Sequence, residues 1–338
     1  WVAGLYTLEQ DVELSRIYTY AASDFRSAYT MKRHAAYADT TTTLADQWSL
    51  DVGIRAERYS ASYGDSNALH FSPDDDLFGG KLALNYHTAN DNLLYASVSR
   101  GYKNGGFNTD GSLDADLREY GSESLWNYEV GFKGSLLDDN LRTRLAVFWM
   151  DRDDVQIQSS TLRMRANGST EFIEFTGNAA AGFNRGLELS ADYTLTDTAT
   201  LYGSLGLLDS EYADFINSNG DDLDGREQAH APSHQYTVGT RWQLLPALAL
   251  DVNVQGRDAF YFSDSHDVRS NAYDLVNASL TWQQDQWQLT LWGRNLTDED
   301  YYVRGFYFGN DPRDDYTAKG YTQLGEPMRY GLTVNVDF

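Results

Sequence analysis

The chain has 338 residues, of which 50 are acidic and 26 are basic, and it contains no cysteine. Its net charge of −24 argues against binding to nucleic acid, because phosphate backbones bind to basic surfaces. Helical membrane spans are also excluded. The longest apolar stretch, residues 244–250, contains a proline and is far shorter than the roughly 18 residues that such a span needs.

Apolar side chains stand at every second position in one run after another along the chain. The clearest runs are residues 48–57, 126–133, 187–195 and 248–255. Successive side chains of a β-strand point to opposite faces, so each run has one apolar and one polar face. This pattern is typical of a barrel with one face in lipid and the other in water, and it explains how a membrane protein can have a negative mean hydropathy.

The connections between these runs take turns in length. Short polar turns are predicted at residues 8–11, 44–46, 89–92, 137–140, 196–200, 245–247 and 283–286. Long loops, rich in Gly and Asp, are predicted at residues 21–29, 64–76, 105–123, 160–170, 214–233, 263–271 and 304–327. Outer-membrane barrels place tight turns in the periplasm and long loops outside, whereas a β-sandwich has no such preference. The sequence therefore predicts an all-β fold, a transmembrane antiparallel up-and-down β-barrel with about 15 strands in this chain.

The chain begins at Trp1, within a strand-like run and without an initiating Met. An odd number of strands is unusual, because bacterial single-chain barrels normally have an even number. We therefore expect a mature or trimmed piece of a larger barrel, with further strands upstream.

Aromatic residues cluster near the predicted strand ends. They are Trp48, Tyr86, Trp126, Tyr193, Trp242, Trp282 and Trp287. Such rings suit the headgroup level of a membrane, where one end of the ring is in an apolar and the other in a wet environment. The alternative is that they are ordinary strand formers in a soluble core.

Alternation continues to the C-terminus. Tyr330, Leu332, Val334, Val336 and the final Phe338 share one face of the last predicted strand. An alternating strand that ends in Phe is similar to the signal that the barrel-assembly machinery reads on outer-membrane proteins, so we expect that machinery to be a partner.

Three stretches carry a resemblance to a known family. They are residues 95–108 (YASVSRGYKNGGFN), residues 177–188 (GNAAAGFNRGLE), and residues 292–302 (WGRNLTDEDYY) together with residues 325–338. In order and spacing they resemble the barrel of TonB-dependent receptors, and the resemblance covers essentially the whole chain. It implies a location in the bacterial outer membrane and a barrel of about 22 strands filled by an N-terminal plug. Residues 1–338 would be the C-terminal part of that barrel, without the plug.

Three segments place cations and aromatic rings where a strand enters a long outer loop. Their candidate ligand-binding residues are Arg100, Tyr102, Lys103 and Phe107 in the first, Arg257, Phe260 and Tyr261 in the second, and Arg304, Tyr307 and Phe308 in the third. Arginine offers a planar fork of donors and aromatic rings offer stacking faces, which suits an anionic, aromatic chelate. The alternative is an outer aromatic girdle whose charges touch lipopolysaccharide.

Other polar clusters do not form a recognisable site. His230 and His234 are separated by Pro232, and a zinc site needs three or four converging ligands. Residues 217–225 have the composition of a calcium loop, but placing Gly220 at its sixth position puts Phe215 where a carboxylate is required. No phosphate loop or nucleophile motif is present. The sequence therefore predicts no catalytic residue, no metal ligand and no cofactor.

The resemblance implies uptake of a scarce nutrient, energised by the TonB complex through the N-terminal part that we expect upstream. An iron–siderophore complex is the ligand class favoured by the Arg-rich and aromatic mouth. Cobalamin, another metal chelate or a carbohydrate stays open, as do a passive porin-like channel, a barrel enzyme and an adhesion role. Nothing in the barrel sequence selects the ligand.

Overall fold

The fold was analysed in a computed structural model, which describes residues 1–17, 24–164, 170–217, 220–309 and 311–337. The strands are β1 Val2–Arg16, β2 Phe25–Ala45, β3 Trp48–Asp65, β4 His70–Phe71, β5 Asp74–His87, β6 Leu93–Lys103, β7 Gly106–Phe107, β8 Glu119–Tyr120, β9 Glu123–Leu136, β10 Leu141–Met164, β11 Thr170–Thr196, β12 Ala199–Ala213, β13 His234–Leu245, β14 Leu248–Arg257, β15 Tyr273–Gln284, β16 Trp287–Arg294, β17 Tyr302–Phe308, β18 Lys319–Leu324 and β19 Arg329–Val336. Two single turns of 3₁₀ helix lie at Ala115–Leu117 and Pro312–Asp314. No helix among the described residues is long and apolar enough to cross a membrane.

One antiparallel sheet holds fifteen of these strands. Its path runs β1-β2-β3-β5-β6-β9-β10-β11-β12-β13-β14-β15-β16-β19, and β4 pairs with β3 beside that path. Each strand of the path pairs with the next one along the chain, which is up-and-down topology. The other strands form two small hairpins in the long connections, β7 with β8 and β17 with β18. The predicted antiparallel up-and-down architecture is confirmed, with fourteen strands on the path and the short β4 as a fifteenth beside it.

The turn predicted at residues 8–11 is wrong. These residues lie inside β1, where Leu8 pairs with Arg33 and Asp11 pairs with Thr30 of β2. Their polar side chains are used across the strands: Lys32 Nζ lies 2.8 Å from Glu9 Oε1, and the Thr30 hydroxyl donates to Asp11 over 2.6 Å. A polar run marks a turn only where backbone pairing stops, and here pairing continues to Arg16. The fifteenth strand of the sheet is instead the short β4, which lies beside the path. The path itself has an even number of strands, so an odd strand number is no longer an argument for further strands upstream.

The other six short turns are confirmed, and the long connections carry more strand than predicted. Residues 160–170 were predicted as a loop, but β10 extends to Met164 and β11 starts at Thr170. Residues 304–327 were also predicted as a loop and contain the β17–β18 hairpin. Part of the predicted loop 21–29, and Phe338 at the C-terminus, lie outside the described residues.

The two faces of the sheet differ in chemistry. On the outer face, side chains such as Ile54, Val130 and Leu332 are more than half exposed and form rows of apolar groups across neighbouring strands. On the inner face, Tyr95 donates to Glu129 over 2.6 Å and Tyr202 donates to Asp251 over 2.9 Å. A wide, exposed apolar band is costly in water and stable in lipid. The sheet is therefore the wall of a membrane barrel with a polar lumen.

Strands β10 and β11 are 24 and 27 residues long. Crossing a bilayer takes only about 9–11 residues of tilted strand. The remainder rises beyond the membrane on the side of the long loops. There, Val155, Ala179 and Tyr212 form a small buried cluster, and Ile173 and Phe175 form another with Leu113. These clusters give the outer loops a packed core of their own, which positions the candidate site.

Candidate ligand-binding site

Three of the long connections meet at one cavity at the end of the barrel where the long loops lie. It has a volume of about 690 Å³ and is lined by Arg16, Phe107, Asn108, Thr109, Asp110, Ile173, Glu174, Phe306 and Phe308. We call it the aromatic cavity. Phe107 comes from the β6–β9 connection and Phe308 from the last connection, so the structure brings together two of the three predicted segments.

The ring of Phe107 packs against other aromatic rings on the side away from the cavity. Its ring centre lies 4.8 Å from that of Tyr63 in a stacked arrangement and 5.5 Å from that of Tyr29. Aromatic pairs at such distances add about 0.5–1.5 kcal/mol to the free energy of simple burial. The ring is therefore fixed in place with one side left for the cavity.

The β17–β18 hairpin supplies the opposite wall. Phe308 lies 5.0 Å from Tyr321 across the hairpin, and the guanidinium of Arg304 lies 4.7 Å from the ring centre of Phe306. Because side chains alternate along a strand, Arg304, Phe306 and Phe308 share one face of β17. Tyr307 is on the other face, 6.1 Å from His266, and lines a separate cavity.

A second cavity of about 350 Å³ adjoins the first and shares Glu174 and Phe306 with it. Arg304, His230 and Phe262 also line it. We call these two cavities together the mouth.

Two cations have no carboxylate partner among the described residues, Arg304 inside the mouth and Arg257 beside it. Arg304 is exposed at the second cavity, and Arg257 at the end of β14 lies 5.9 Å from the ring centre of Phe260. Neither guanidinium forms an ion pair with another described residue. Arg257 also lines a larger cavity of about 870 Å³ on the lumen side, together with Gln255 and Tyr301. The second predicted segment therefore connects the mouth to the lumen.

His230 packs against this group without adding positive charge. Its ring lies 5.4 Å from Phe260. Burial lowers the pKa of the His230 ring, and the charges of Arg304 and Arg257 lower that pKa further. Because a lowered pKa keeps the imidazole neutral at neutral pH, the arginines are the cations that remain for a ligand.

The remaining predicted residues are placed elsewhere. Arg100 has the same strand parity as Leu94, Ala96 and Val98, and pairs with Gly80 and Trp126 on the outer face. Its guanidinium donates to the Phe78 carbonyl. The structure thus gives Arg100 the position of the girdle alternative, facing away from the mouth.

Tyr102, Lys103 and Tyr261 are engaged with other side chains. Tyr102 accepts from Arg55 over 2.9 Å and donates to Glu57 over 3.2 Å. Lys103 donates to Glu123 over 2.9 Å. Tyr261 lies between two guanidinium groups, those of Arg226 at 4.1 Å and Arg269 at 4.3 Å. These contacts stabilise the wall and the outer loops.

Sequence reasoning missed several residues of the mouth. Phe306 had a usable signal, because it lies midway between Arg304 and Phe308 and strand alternation puts all three on one face. Phe262 also had a signal, because it follows Phe260 and Tyr261 in the second segment. Arg16 and Glu174 had none, because their place depends on how far β1 and β11 extend and on how the loops fold. Among the described residues, no group of three or more histidine and acidic side chains stands close enough to hold a metal ion.

Comparison with known proteins agrees with this architecture. Residues 1–296 match the model of the family described as TonB dependent receptor-like, beta-barrel. The pesticin receptor of Yersinia pestis is 25% identical over 352 aligned residues, which cover 100% of this chain and 49% of the relative. The probable TonB-dependent siderophore receptor PiuA of Acinetobacter baumannii is 20% identical, covering 82% of this chain and 38% of the relative. The chain thus spans about half the length, or less, of these curated relatives.

Solved structures show the same fold. The ferric yersiniabactin uptake receptor FyuA from Yersinia pestis superimposes with a TM-score of 0.78 at 21% identity, covering 99% of this chain and 51% of that one. The siderophore receptor PiuA from Acinetobacter baumannii gives a TM-score of 0.72 at 18% identity, covering 92% and 44%. The family consists of outer-membrane receptors and transporters rather than enzymes, and the matched region includes all the strands from β1 to β16. The chain is therefore a barrel of the TonB-dependent receptor family, located in the bacterial outer membrane.

Proposed function

We propose that the protein takes up an iron–siderophore complex across the outer membrane, driven by the TonB energy-coupling complex. The mouth carries this proposal. Arg304 offers a guanidinium fork next to Phe306 in the mouth that Phe107 and Phe308 also line, and Arg257 offers a second fork beside Phe260; neither has a carboxylate partner among the described residues. Guanidinium groups bind anionic oxygen atoms in a bidentate manner, and aromatic faces accept flat apolar groups. An anionic chelate with aromatic or apolar parts fits both.

The names of the relatives support the same class of ligand. They include a probable TonB-dependent siderophore receptor and a ferric yersiniabactin uptake receptor. Passive diffusion has no such support, because the family whose model matches residues 1–296 is one of receptors that depend on TonB.

Further parts of the proposal concern domains and partners. All of residues 1–338 would belong to the barrel, with TonB acting through an N-terminal part outside this chain. Arg100, on the outer face beside Trp126, suits contact with lipopolysaccharide, whose phosphates attract arginine. Phe338 would be read by the barrel-assembly machinery after the alternating residues of β19.

Growth on defined nutrients tests the proposed function. A strain that lacks the gene, and the same strain complemented with the full-length gene, would be compared on ferric yersiniabactin, ferric citrate, a ferric catecholate, cobalamin and sugars. We expect complementation to restore growth on at least one ferric chelate when iron is scarce, and only while TonB is functional. Restoration on cobalamin or a sugar alone, or uptake that does not depend on TonB, would contradict the proposal.

A further inference from the structure

Two asparagines, one from each of two family-like stretches, join the connection 104–122 to strand β11. Asn108 ends the first stretch, residues 95–108, and Asn178 begins the second, residues 177–188. The Asn108 carboxamide bonds to main-chain atoms of Thr176 in β11, and the Asn178 carboxamide bonds to those of Gly121 in the connection 104–122. These contacts give the two family-like stretches a physical role in the packing of the loops.

The Asn108 side chain bonds to the main chain of β11 along an edge that no described strand covers. Strand β12 pairs with β11 only from Ala181 onward, and in the described part of the chain no strand pairs with that edge of β11 below Ala181. There, the Thr176 N–H donates to Asn108 Oδ1 over 2.9 Å, and Asn108 Nδ2 donates to the Thr176 carbonyl over 2.7 Å. The side chain thus makes the pair of bonds that a neighbouring strand would otherwise make.

Asn178 makes a similar pair of bonds in the opposite direction. Its Oδ1 accepts from the Gly121 N–H over 2.8 Å, and its Nδ2 donates to the Gly121 carbonyl over 3.2 Å and to the Asp154 carbonyl over 2.8 Å. Gln156, the cross-strand partner of Asn178 on β10, donates to the same Gly121 carbonyl over 2.9 Å and to the Asn104 carbonyl over 2.8 Å. Both ends of the connection 104–122 are therefore fastened to β10 and β11.

A buried carboxylate reinforces this attachment. Glu123, whose side chain is 2% exposed, accepts from Lys103 over 2.9 Å and from Arg152 over 2.6 Å. It also accepts from the Gln156 main-chain N–H over 2.9 Å. The two ends of the connection approach so closely that a Cβ on Gly105 would lie 2.5 Å from the Tyr120 carbonyl oxygen, which only glycine permits.

We infer that Asn108 and Asn178 are positioning residues, which hold the connection 104–122 on β11 as a preformed wall and keep Phe107 in the aromatic cavity. A preformed wall improves affinity because less conformational freedom is lost when a ligand binds. The structural part of this inference stands by itself, and the effect on affinity rests on the proposed function.

Spin labelling tests the attachment without any ligand. Residues 1–338 contain no cysteine, so Ala115→Cys, at an exposed position of the 3₁₀ turn in this connection, gives a single site for a nitroxide in this part of the protein, in a background where any cysteine outside it is replaced by serine. Asn178→Asp and Asn178→Leu both remove the donors to Gly121 and Asp154. We expect either change to raise label mobility severalfold in the full-length protein in detergent, while heat-modifiable migration in gels shows that the barrel stays folded.

A control variant isolates the attachment from the change in charge. Asn140→Asp makes the same chemical change in the β9–β10 turn on the opposite side of the membrane, and we expect it to leave label mobility unchanged. Unchanged mobility in both Asn178 variants would overturn the inference, and so would an equal rise in Asn140→Asp.

A double-mutant cycle then tests whether Asn178 acts through Phe107. Affinity for ferric yersiniabactin, or for the chelate that supports growth, should fall about tenfold in Asn178→Asp, which equals the loss of one or two hydrogen bonds. In a Phe107→Ala background the same change should cost less than about twofold, because coupled residues are non-additive. Full additivity would overturn the positioning role. If no ferric chelate binds the unmodified protein, the proposed function fails, whereas the spin-label result still decides whether the attachment exists.

Discussion

Replacing Arg257 and Arg304 by glutamine should weaken ligand binding, whereas the same change at Arg100 should not. Glutamine keeps a polar donor but removes the charge and the bidentate fork. The three arginines looked equivalent in the sequence, and the structure separates them: Arg304 lines the mouth, Arg257 lines the lumen-side cavity beside it, and Arg100 lies on the outer face. Arg100→Gln is therefore a matched control for the other two substitutions.

The size of the effect follows from exposure and from the rings behind each cation. A hydrogen bond to a charged group is worth about 1.5–3 kcal/mol, and the lower end applies here because solvent reaches both guanidinium groups. Since about 1.4 kcal/mol corresponds to a factor of ten, each single change should raise the Kd about tenfold. Arg257 lies against Phe260 and Arg304 against Phe306, so the two have separate supports and the double variant should lose about a hundredfold.

Binding of the ferric chelate that supports growth would be followed by quenching of tryptophan fluorescence in the purified full-length protein, with uptake of labelled iron as a second measurement. Salt should reduce the effect, because charge interactions at exposed groups are screened beyond about 8 Å at physiological ionic strength. Two results would refute the reasoning: an unchanged Kd in the double variant, or an equal loss of affinity in Arg100→Gln.

Three further outcomes are expected. Asp65→Asn should make the β6–β9 connection several times more sensitive to protease on intact cells. The side chains of Asp65 and Arg118 are fully buried as an ion pair, and removing one partner of such a pair lowers the stability of the fold by about 3 kcal/mol or more. Unchanged cleavage would count against this. Phe308→Ala should weaken chelate binding with little change in surface abundance, measured by binding to whole cells, and a loss of abundance alone would contradict its place in the cavity. Burial raises the pKa of Asp264 above 3.8, so its contribution to loop packing is complete below that value and is lost as the pH rises through the raised pKa. Hydrogen exchange of residues 258–272, corrected for the intrinsic effect of pH on exchange, should therefore increase as the pH rises above 3.8, and Asp264→Asn should abolish that increase; an unchanged pH dependence in the variant would exclude this carboxyl as its source.

The sequence was sufficient for the barrel because a single periodicity determines it. Side chains at positions such as Trp126, Tyr128 and Val130 meet lipid at every second residue, and this requirement holds for every strand whatever the loops do. Where pairing continues outside the lipid the rule weakens, since polar side chains are then stable on both faces. The false turn at residues 8–11 and the unexpected length of β10 and β11 both come from such regions.

The candidate site was only partly predictable for a related reason. Strand parity would have placed Arg100 on the face of Leu94 and Ala96, and it would have added Phe306 to Arg304 and Phe308. Parity carries no information on contacts between connections. The approach of Phe107 to Phe308, and the attachment of Asn178 to Gly121, depend on how separate loops pack, which a local pattern does not encode.

The great length of β10 and β11 has a consequence for where capture takes place. At about 3.3 Å per residue, the dozen or so residues of each strand beyond the bilayer form a stalk of roughly 40 Å, stiffened by backbone pairing that reaches Met164 and Thr170. The protein would therefore first contact its ligand at about that distance above the bilayer, at the level of the surface sugars and not at the level of the fatty acyl chains. Side chains alternate along a strand with a period of two residues. Removing two residues from each strand would therefore lower the outer loops by about 7 Å and leave every side chain on its present face. Removing one residue from either strand would instead exchange the two faces of that strand beyond the deletion.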